Sequence, residues 1–201
     1  MVLIAFGEGS GRLPVRQSLA PVVRGALLVE LLDGGALVDE AGTVRVAGEA
    51  PRDAVLREVW QRIGTEPGRT WLYWVRKDGR ASVHDVLRGL EKDGLVERST
   101  GRVFGVFPLN RAALTPAGLA AAAEMRAAVV AVVEEPAAPR APGGVALLAG
   151  IAYAGGQLGA VLGADRRRLF KERLTVLFDG AAPVSPAVRR VVQDLQGAAV
   201  G

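Results

Sequence analysis

The chain has 201 residues, of which 50% are hydrophobic and 23% are charged, a balance typical of folded proteins rather than disordered ones. It contains no cysteine and one histidine, His84, which excludes disulfides, thiolate metal sites and cysteine nucleophiles and argues against multi-histidine metal centres. The 25 basic residues exceed the 21 acidic ones and give a net charge of +4, so an anionic partner is admissible but not demanded.

The N-terminal part of the chain predicts one long helix and one hairpin. Val2–Phe6 is too short for a secretory signal and lacks a basic flank. A mostly apolar helix is predicted over Leu19–Asp33, with Ser18 as its N-cap and Gly34-Gly35 as its stop. A short β-hairpin is predicted, with strands at Ala36–Val38 and Thr43–Val46 on either side of an Asp39–Gly42 turn.

The middle of the chain alternates helices with strand-like segments. Pro51 is expected to open a helix, and Trp71–Val75 forms a short aromatic segment. Ser82 is expected to cap a helix that ends near Asp93. Two strands, Leu95–Arg98 and Val103–Phe107, are predicted on either side of a glycine-containing turn.

The C-terminal part is helical, and one of its segments raises the question of a membrane span. An alanine-rich helix is predicted from Pro116, followed by an extended connection over 134–142. Gly143–Ala164 carries no charge and is long enough to span a bilayer, but its many glycines favour a buried central helix. Helices at Arg166–Asp179 and Pro186–Gln196 complete a mainly α fold with two short β-hairpins.

Motifs for catalysis are weak, and we expect no enzyme. The glycines between Phe6 and Arg12 lack the Gly-Lys-Ser/Thr ending of a phosphate-binding loop. His84 and Asp85 are adjacent on a predicted helix, where neighbouring side chains do not face each other. The other carboxylates are scattered and predict no rigid pair. We also expect no cofactor and no metal.

Residues 82–118 have the order of a winged-helix unit and carry Leu-Glu-x-x-Gly-Leu-Val-Glu-Arg and Leu-Thr-x-x-Gly runs, similar to those of MarR-like repressors. On that interpretation Arg80, His84 and Arg88 would face a DNA major groove, and Arg102 would lie on the wing. A winged-helix transcriptional regulator is therefore an alternative function. Winged geometry does not require DNA binding.

Two groups of basic residues stand outside this unit. Arg24 lies inside a largely apolar stretch, so its charge must be paired, face solvent or await an anion, and Gly25 beside it leaves room for a headgroup or a close helix. A late cluster is expected to form a solvated face, partly paired with Glu172 and Asp179, and it comprises Arg166, Arg167, Arg168, Lys171 and Arg173.

The order of these segments resembles the Golgi phosphoprotein 3 family, which has bacterial and notably actinobacterial members. The first long helix is similar to the family's "LRGxxLxELxxxGxI" pattern at Leu19–Leu31. The hairpin over 36–46 and the helix with hairpin over 86–114 follow in the same order. The segment 145–154 is similar to the family's "LLALIYLAHA" helix. The resemblance spans about residues 3 to 196 and predicts a single domain over 1–201.

The resemblance implies a peripheral membrane protein whose basic pocket binds the headgroup of phosphatidylinositol 4-phosphate. The pocket arginine of the first helix falls on Arg24, and a second falls near Arg80. Val83 and Val15 stand where the family has a third arginine and a tryptophan, while Arg16 could add supporting charge.

Membrane contact and partners complete the expectation. Phe104, Phe107 and Leu109 in the second hairpin would insert shallowly into a bilayer or pair with another copy of the chain, unless the hairpin simply packs on the core. The expected location is cytoplasmic, on the inner face of the membrane, and the expected partner is an anionic phospholipid surface rather than nucleic acid. The other alternative is that the chain is a scaffold that binds the cytoplasmic tails of membrane proteins.

Overall fold

The computed structural model describes residues 1–6, 18–103, 107–134 and 143–199. Within these ranges the fold is mainly α, as predicted, with two separate two-stranded antiparallel hairpins. The elements are α1 (Val2–Ala5), α2 (Leu19–Asp33), β1 (Leu37–Glu40), β2 (Thr43–Val46), α3 (Ala54–Thr65), α4 (Trp71–Arg76), α5 (Gly79–Lys92), β3 (Val96–Val103), β4 (Phe107–Leu114), α6 (Pro116–Glu134), α7 (Gly143–Ala154), α8 (Gly159–Leu169), α9 (Lys171–Gly180) and α10 (Val184–Ala198).

Helix α2 has the predicted bounds, although Ser18 does not cap it. The Ser18 hydroxyl accepts a hydrogen bond from Gln157 Nε2 at 2.9 Å instead of bonding the backbone of the first turn. At the other end the Gly34 N–H bonds to Glu30 O, and Gly35 has a φ of 71°, so the glycine pair stops the helix as expected. Most of α2 is buried, which makes it the central helix of the fold.

Helix α10 packs closely against α2 at Gly25. A Cβ atom at this position would lie 2.3 Å from Val188 Cγ2, so only glycine allows this approach. The space beside Arg24 at Gly25 is therefore filled by a helix. Helices α4, α5 and α7 also contact α2, which surrounds it with packed side chains.

The uncharged segment 143–164 forms two helices rather than the single helix predicted from the sequence. Helix α7 ends at Ala154, and Gly156, with a φ of 69°, lies in the turn that leads to α8. Burial is most extensive in α7, where Gly150 would place a Cβ only 2.2 Å from Leu177 O of α9, and Leu158 and Leu162 are also buried. The glycines thus serve close helix contact within the fold.

The first hairpin and the helix after it follow from local turn and cap chemistry. Strands β1 and β2 pair Leu37 with Val46 and turn through Ala41 and Gly42, both of which have positive φ. Helix α3 begins at Ala54 rather than at Pro51. Asp53 supplies the cap, since its Oδ1 accepts a hydrogen bond from Leu56 N at 2.9 Å.

The central segment differs most from the sequence prediction. The aromatic segment after Thr70 is helix α4, capped by the Thr70 hydroxyl, and α5 starts at Gly79 rather than near Ser82. Strands β3 and β4 pair Val96 with Leu114 and Val103 with Phe107, so the hairpin is longer than predicted. The glycine-containing turn predicted after Arg98 was wrong, because residues 99–101 lie inside β3. The order α4, α5, β3, β4 is that of a winged helix-turn-helix unit, but α4 packs mainly on α2 and α10.

Helix α6 begins at Pro116 as predicted and ends at Glu134; the predicted extended connection after it lies outside the described residues. Over the described residues, α6 is the one helix long and apolar enough to cross a bilayer by length and composition. Core helices of water-soluble proteins pass the same test, and α6 packs on α1 and α7.

Candidate functional site

Arg24 is the most deeply buried charged side chain in the described part of the chain, with 1% of its surface exposed. It leaves α2 toward α4 and α5. Its Nε donates to the backbone oxygen of Trp74 at 3.1 Å, and its Nη1 donates to Ser82 Oγ at 3.3 Å. The guanidinium carbon lies 5.9 Å from the centre of the Trp74 ring. These contacts fix the guanidinium where three helices meet.

One nitrogen of this guanidinium is not satisfied. Arg24 Nη2 is buried and has no hydrogen-bond partner among the described residues, and the same holds for Trp74 Nε1. Burial lowers the pKa of Arg24 to about 10, although Asp78 and Glu58 oppose the shift. A buried, incompletely bonded cation is unfavourable for folding, which makes Arg24 a functional candidate.

A small cleft lies beside Arg24, with a cavity volume of about 10 Å³, room for roughly one water molecule. Helices α2, α3 and α5, with Asp78 just before α5, form its walls. The lining residues are Arg24, Val55, Glu58, Val59, Arg62, Asp78, Ala81, Ser82 and Asp85. A cleft of this size, lined by both polar and apolar side chains, has room for one group of about the size of a water molecule.

Arg62 is the second cation of the cleft, and it is already paired. Its Nη2 lies 2.8 Å from Glu58 Oε1, and its Nη1 lies 2.9 Å from Asp78 Oδ2. Hydrogen bonds to these two carboxylates raise the pKa of Arg62. With Asp85 also in the lining, two cations face three carboxylates. The cleft is therefore of mixed charge, whereas the resemblance led us to expect a basic pocket.

The other predicted headgroup residues lie apart from this cleft or outside the described chain. Arg80 is exposed on the first turn of α5 and is not among the lining residues, although its neighbours Ala81 and Ser82 are. Arg16 lies outside the described residues. Val83, which stands at the family's third arginine position, is half-buried. The structure thus brings Arg24 and Arg62 together, and sequence reasoning missed Arg62.

The residues predicted for the membrane hairpin lie at its far end. Phe107 and Leu109 belong to β4, opposite Val103 and Gly101 in the register, and Phe104 lies outside the described residues. The ladder therefore runs up to the segment 104–106. Membrane insertion or pairing by this hairpin stays a prediction.

The residues of the DNA-binding alternative are partly neutralised. Arg88 forms an ion pair with Asp85 on the same helix, and His84 Nδ1 lies 3.5 Å from the same carboxylate. The side chain of Arg102, predicted for the wing, is not among those that the structure describes, while the neighbouring Arg98 of β3 pairs with Glu91 of α5 at 3.1 Å. A face whose cations are matched by carboxylates attracts phosphate weakly.

In the described ranges there is also no group of three or more acidic or histidine residues that could hold a metal ion.

The contacts that define the site were invisible to sequence reasoning for a specific reason. Trp74 and Ser82 lie 50 and 58 positions from Arg24. The sequence did indicate that Arg24 is unusual, because an arginine inside an apolar helix needs partners from elsewhere in the chain. The identity of those partners depended on how α4 and α5 pack on α2.

Comparison with known protein families adds one finding. A family model described as Golgi phosphoprotein 3 (GPP34) matches residues 1–195, nearly the whole chain. Comparison with curated proteins gave no match. The family match agrees with the order of segments on which the sequence resemblance rested.

Proposed function

The chain belongs to the Golgi phosphoprotein 3 family, and on that premise we propose that it binds membranes peripherally by recognising anionic phospholipid headgroups. The proposed ligand carries a phosphate monoester, as phosphatidylinositol 4-phosphate does. Arg24 would be the deepest contact. The role is binding rather than catalysis, and the proposed location is the inner face of the membrane.

The observation that carries this proposal is the unsatisfied Nη2 of Arg24. Leaving a buried charged donor without a partner costs about 1–3 kcal/mol or more. Arg24, which carries this nitrogen, lines a cleft that Ser82 also lines. A phosphate oxygen placed there would complete the guanidinium with a short, charge-assisted hydrogen bond.

The carboxylates of the cleft set a condition on binding. A phosphate that enters beside Arg24 meets Glu58, Asp78 and Asp85, which repel it. Arg62 holds two of these carboxylates and could exchange one of them for a phosphate oxygen, because its guanidinium offers several donors in one plane. The proposal therefore includes a rearrangement of the Arg62 side chain on binding.

Arg80 is proposed as a peripheral contact for the same headgroup. It is exposed and makes no ion pair with any other described residue. Its position, one residue before Ala81 in the cleft wall, leaves its long side chain able to reach a ligand that protrudes from the cleft.

Vesicle flotation with the full chain tests the proposal. Three vesicle types are compared: neutral phosphatidylcholine, phosphatidylcholine with phosphatidylserine, and phosphatidylcholine with phosphatidylinositol 4-phosphate at equal total charge. We expect binding to be strongest with the last. Arg80→Ala and Arg24→Lys should reduce that preference, because alanine removes the charge and lysine keeps the charge but loses the planar fork.

The matched control is Arg45→Ala, which removes an exposed arginine from β2, where it pairs with Glu40. Circular dichroism would confirm that each variant is folded. Equal flotation with all three vesicle types would overturn the proposal. So would Arg24→Lys and Arg80→Ala variants that bind like Arg45→Ala.

DNA binding is the second candidate, and the helix, helix and hairpin order of α4, α5, β3 and β4 favours it. It predicts sequence preference on duplex DNA and a steep loss of affinity with added salt. The pairing of Arg88 and Arg98 with carboxylates opposes it. Fluorescence anisotropy with labelled duplexes, in the buffer used for vesicles, separates the two functions.

A further inference from the structure

The positive charge of the chain is concentrated at one corner, where α8 passes into α9. The residues from Asp165 to Arg173 comprise five cations and two carboxylates, a net charge of +3, while the whole chain carries +4. We call these nine residues the α8–α9 corner. A local excess of this size creates a potential that extends about one Debye length, roughly 8–10 Å, into solution.

An exposed leucine lies in the middle of this charge. Leu169 has 76% of its surface exposed, more than any other large hydrophobic side chain in the described residues. It is the last residue of α8 and is followed by Phe170, whose φ of −101° and ψ of 24° separate the two helices. A single exposed leucine is ordinary on a protein surface, so the feature that matters here is its position within the cluster of cations.

Three cations of the corner are available for a ligand. Arg166 pairs with Glu134 Oε1 at 3.2 Å, and Arg173 Nε donates to Val132 O at 3.2 Å, so these two tie the corner to α6. Arg167, Arg168 and Lys171 make no ion pair or hydrogen bond through their side chains with the rest of the described chain. The contacts of Arg166 and Arg173 hold the corner against α6, while the side chains of Arg167, Arg168 and Lys171 face solvent.

We propose that the α8–α9 corner docks on an anionic bilayer surface. Leu169 enters the interfacial region, and Arg167, Arg168 and Lys171 contact lipid phosphates and carboxylates. A cationic surface with an apolar tip matches such an interface, since the charges meet anionic headgroups and the leucine leaves water. Leu169 favours a bilayer over nucleic acid, because a phosphate backbone offers it no apolar environment.

This docking surface does not depend on the Arg24 cleft. The cleft is formed by α2, α3 and α5, whereas the corner is formed by α8 and α9 and is held by α6. The corner would recognise surface charge in general, without preference for one headgroup. An experiment that disproves docking by the corner would therefore give a different result from one that disproves headgroup binding at Arg24.

The test uses the full chain and vesicles of phosphatidylcholine with or without phosphatidylserine. The variant Arg167→Ala/Arg168→Ala/Lys171→Ala should bind phosphatidylserine vesicles at least about tenfold more weakly than wild type. The control Arg45→Ala/Arg52→Ala/Arg190→Ala removes the same formal charge from exposed positions elsewhere. It should lose about threefold at most, because only the net charge changes.

A second pair of variants tests the leucine. Leu169→Ser should weaken vesicle binding about threefold or more and leave binding to duplex DNA unchanged. Leu119→Ser, at a 46% exposed leucine of α6, is the control and should bind as wild type does. Both changes lie on exposed side chains, so folding is preserved.

Three results would overturn the proposal. The first is equal vesicle binding by the corner variant and its charge control. The second is vesicle binding by Leu169→Ser equal to that of wild type. The third is wild-type binding to duplex DNA that is tighter than to vesicles and is lost in the corner variant, which would assign the surface to nucleic acid. A preference for phosphatidylinositol 4-phosphate that survives in the corner variant would leave the Arg24 site intact.

Discussion

Arg62 Nη1 donates a hydrogen bond to Asp78 Oδ2 over 2.9 Å, and this ion pair forms part of the wall of the cleft beside Arg24. The pair places a carboxylate where an incoming phosphate needs a cation. Asp78 also has a left-handed backbone, with a φ of 59°. Asparagine tolerates that conformation, so the carboxylate can be removed without straining the turn.

We expect Asp78→Asn to raise the affinity for vesicles containing phosphatidylinositol 4-phosphate about fivefold, the equivalent of roughly 1 kcal/mol of like-charge repulsion. The measurement is a titration of protein with vesicles followed by flotation. Asp93→Asn is the control, because Asp93 is an exposed carboxylate at the other end of α5. Equal affinities of the two variants would show that Asp78 does not oppose headgroup binding.

Replacement of Arg24 by methionine separates binding from stability. Burial lowers the pKa of Arg24 to about 10, so the folded protein carries a charge that its environment disfavours. Arg24→Met loses the hydrogen bonds to Trp74 O and Ser82 Oγ but also removes that desolvation. We expect the free energy of unfolding, measured in urea at neutral pH, to stay within about 1 kcal/mol of the wild-type value.

The same variant should lose its preference for phosphatidylinositol 4-phosphate. Because the folded-state pKa of Arg24 lies below the usual arginine value, the penalty for its charge is present at every pH below about 10 and is relieved only above it. A loss of stability greater than about 3 kcal/mol in Arg24→Met would mean that the arginine is primarily structural.

Gly25→Ala tests the contact between α2 and α10. The new methyl group would overlap Val188 Cγ2, so we expect the free energy of unfolding to fall by about 1–3 kcal/mol. Adding Val188→Ala should recover part of that loss by making room for the methyl group. Thermal denaturation followed by circular dichroism measures both variants.

Gly89→Ala provides the comparison for this test. Gly89 also lies inside a helix, α5, but a methyl group added there would meet open space, with no neighbouring atom from the rest of the described fold within 4 Å. Alanine should therefore stabilise by about 0.5–1 kcal/mol through helix propensity. If Gly25→Ala raised the free energy of unfolding as Gly89→Ala does, the conclusion that Val188 packs closely on Gly25 would be wrong.

Glu66 should make stability depend on acid. It forms an ion pair with Lys77 and accepts a hydrogen bond from Tyr73 Oη at 2.6 Å, and these contacts lower the pKa of Glu66 below 4.5. A depressed pKa in the folded state adds stability above 4.5 that is lost as the pH falls through the folded-state value. Glu66→Gln should therefore lose less stability on acidification than wild type does.

Urea unfolding at neutral pH and at a pH well below 4.5 measures this difference. Glu49→Gln, at an exposed carboxylate in the loop before α3, should respond to acid as wild type does. An identical loss of stability on acidification in wild type and Glu66→Gln would exclude a contribution from this ion pair.

The accuracy of the sequence predictions depended on how local the determining interactions were. Helix α2 had the predicted bounds because its apolar run and its terminal glycines act within a few residues. Helix α4 was not recognised as a helix, since its six residues are rich in aromatic and branched side chains that favour strands in isolation. Packing on α2 and α10 determines its conformation.

The site shows the same limit. Arg24 stood out because a charge inside an apolar helix is unfavourable anywhere in a protein. The mixed charge of the cleft could not be predicted, because Glu58 and Arg62 come from α3 and Asp78 and Asp85 from the start of α5. Family resemblance pointed to arginines and gave no indication of the carboxylates that surround them.

The hydrogen bond from Gln157 to Ser18 and the packing of Val188 on Gly25 join α2 to segments that lie more than a hundred residues later in the chain. Helices α3, α4 and α5 can cover one side of α2 as they are made, but the side covered by α7 and α10 stays open until those helices have left the ribosome. Until then that apolar side is exposed, which makes the nascent chain a target for chaperones late into its synthesis. A stalled chain that ends before α10 would be an aggregation hazard rather than a smaller folded protein.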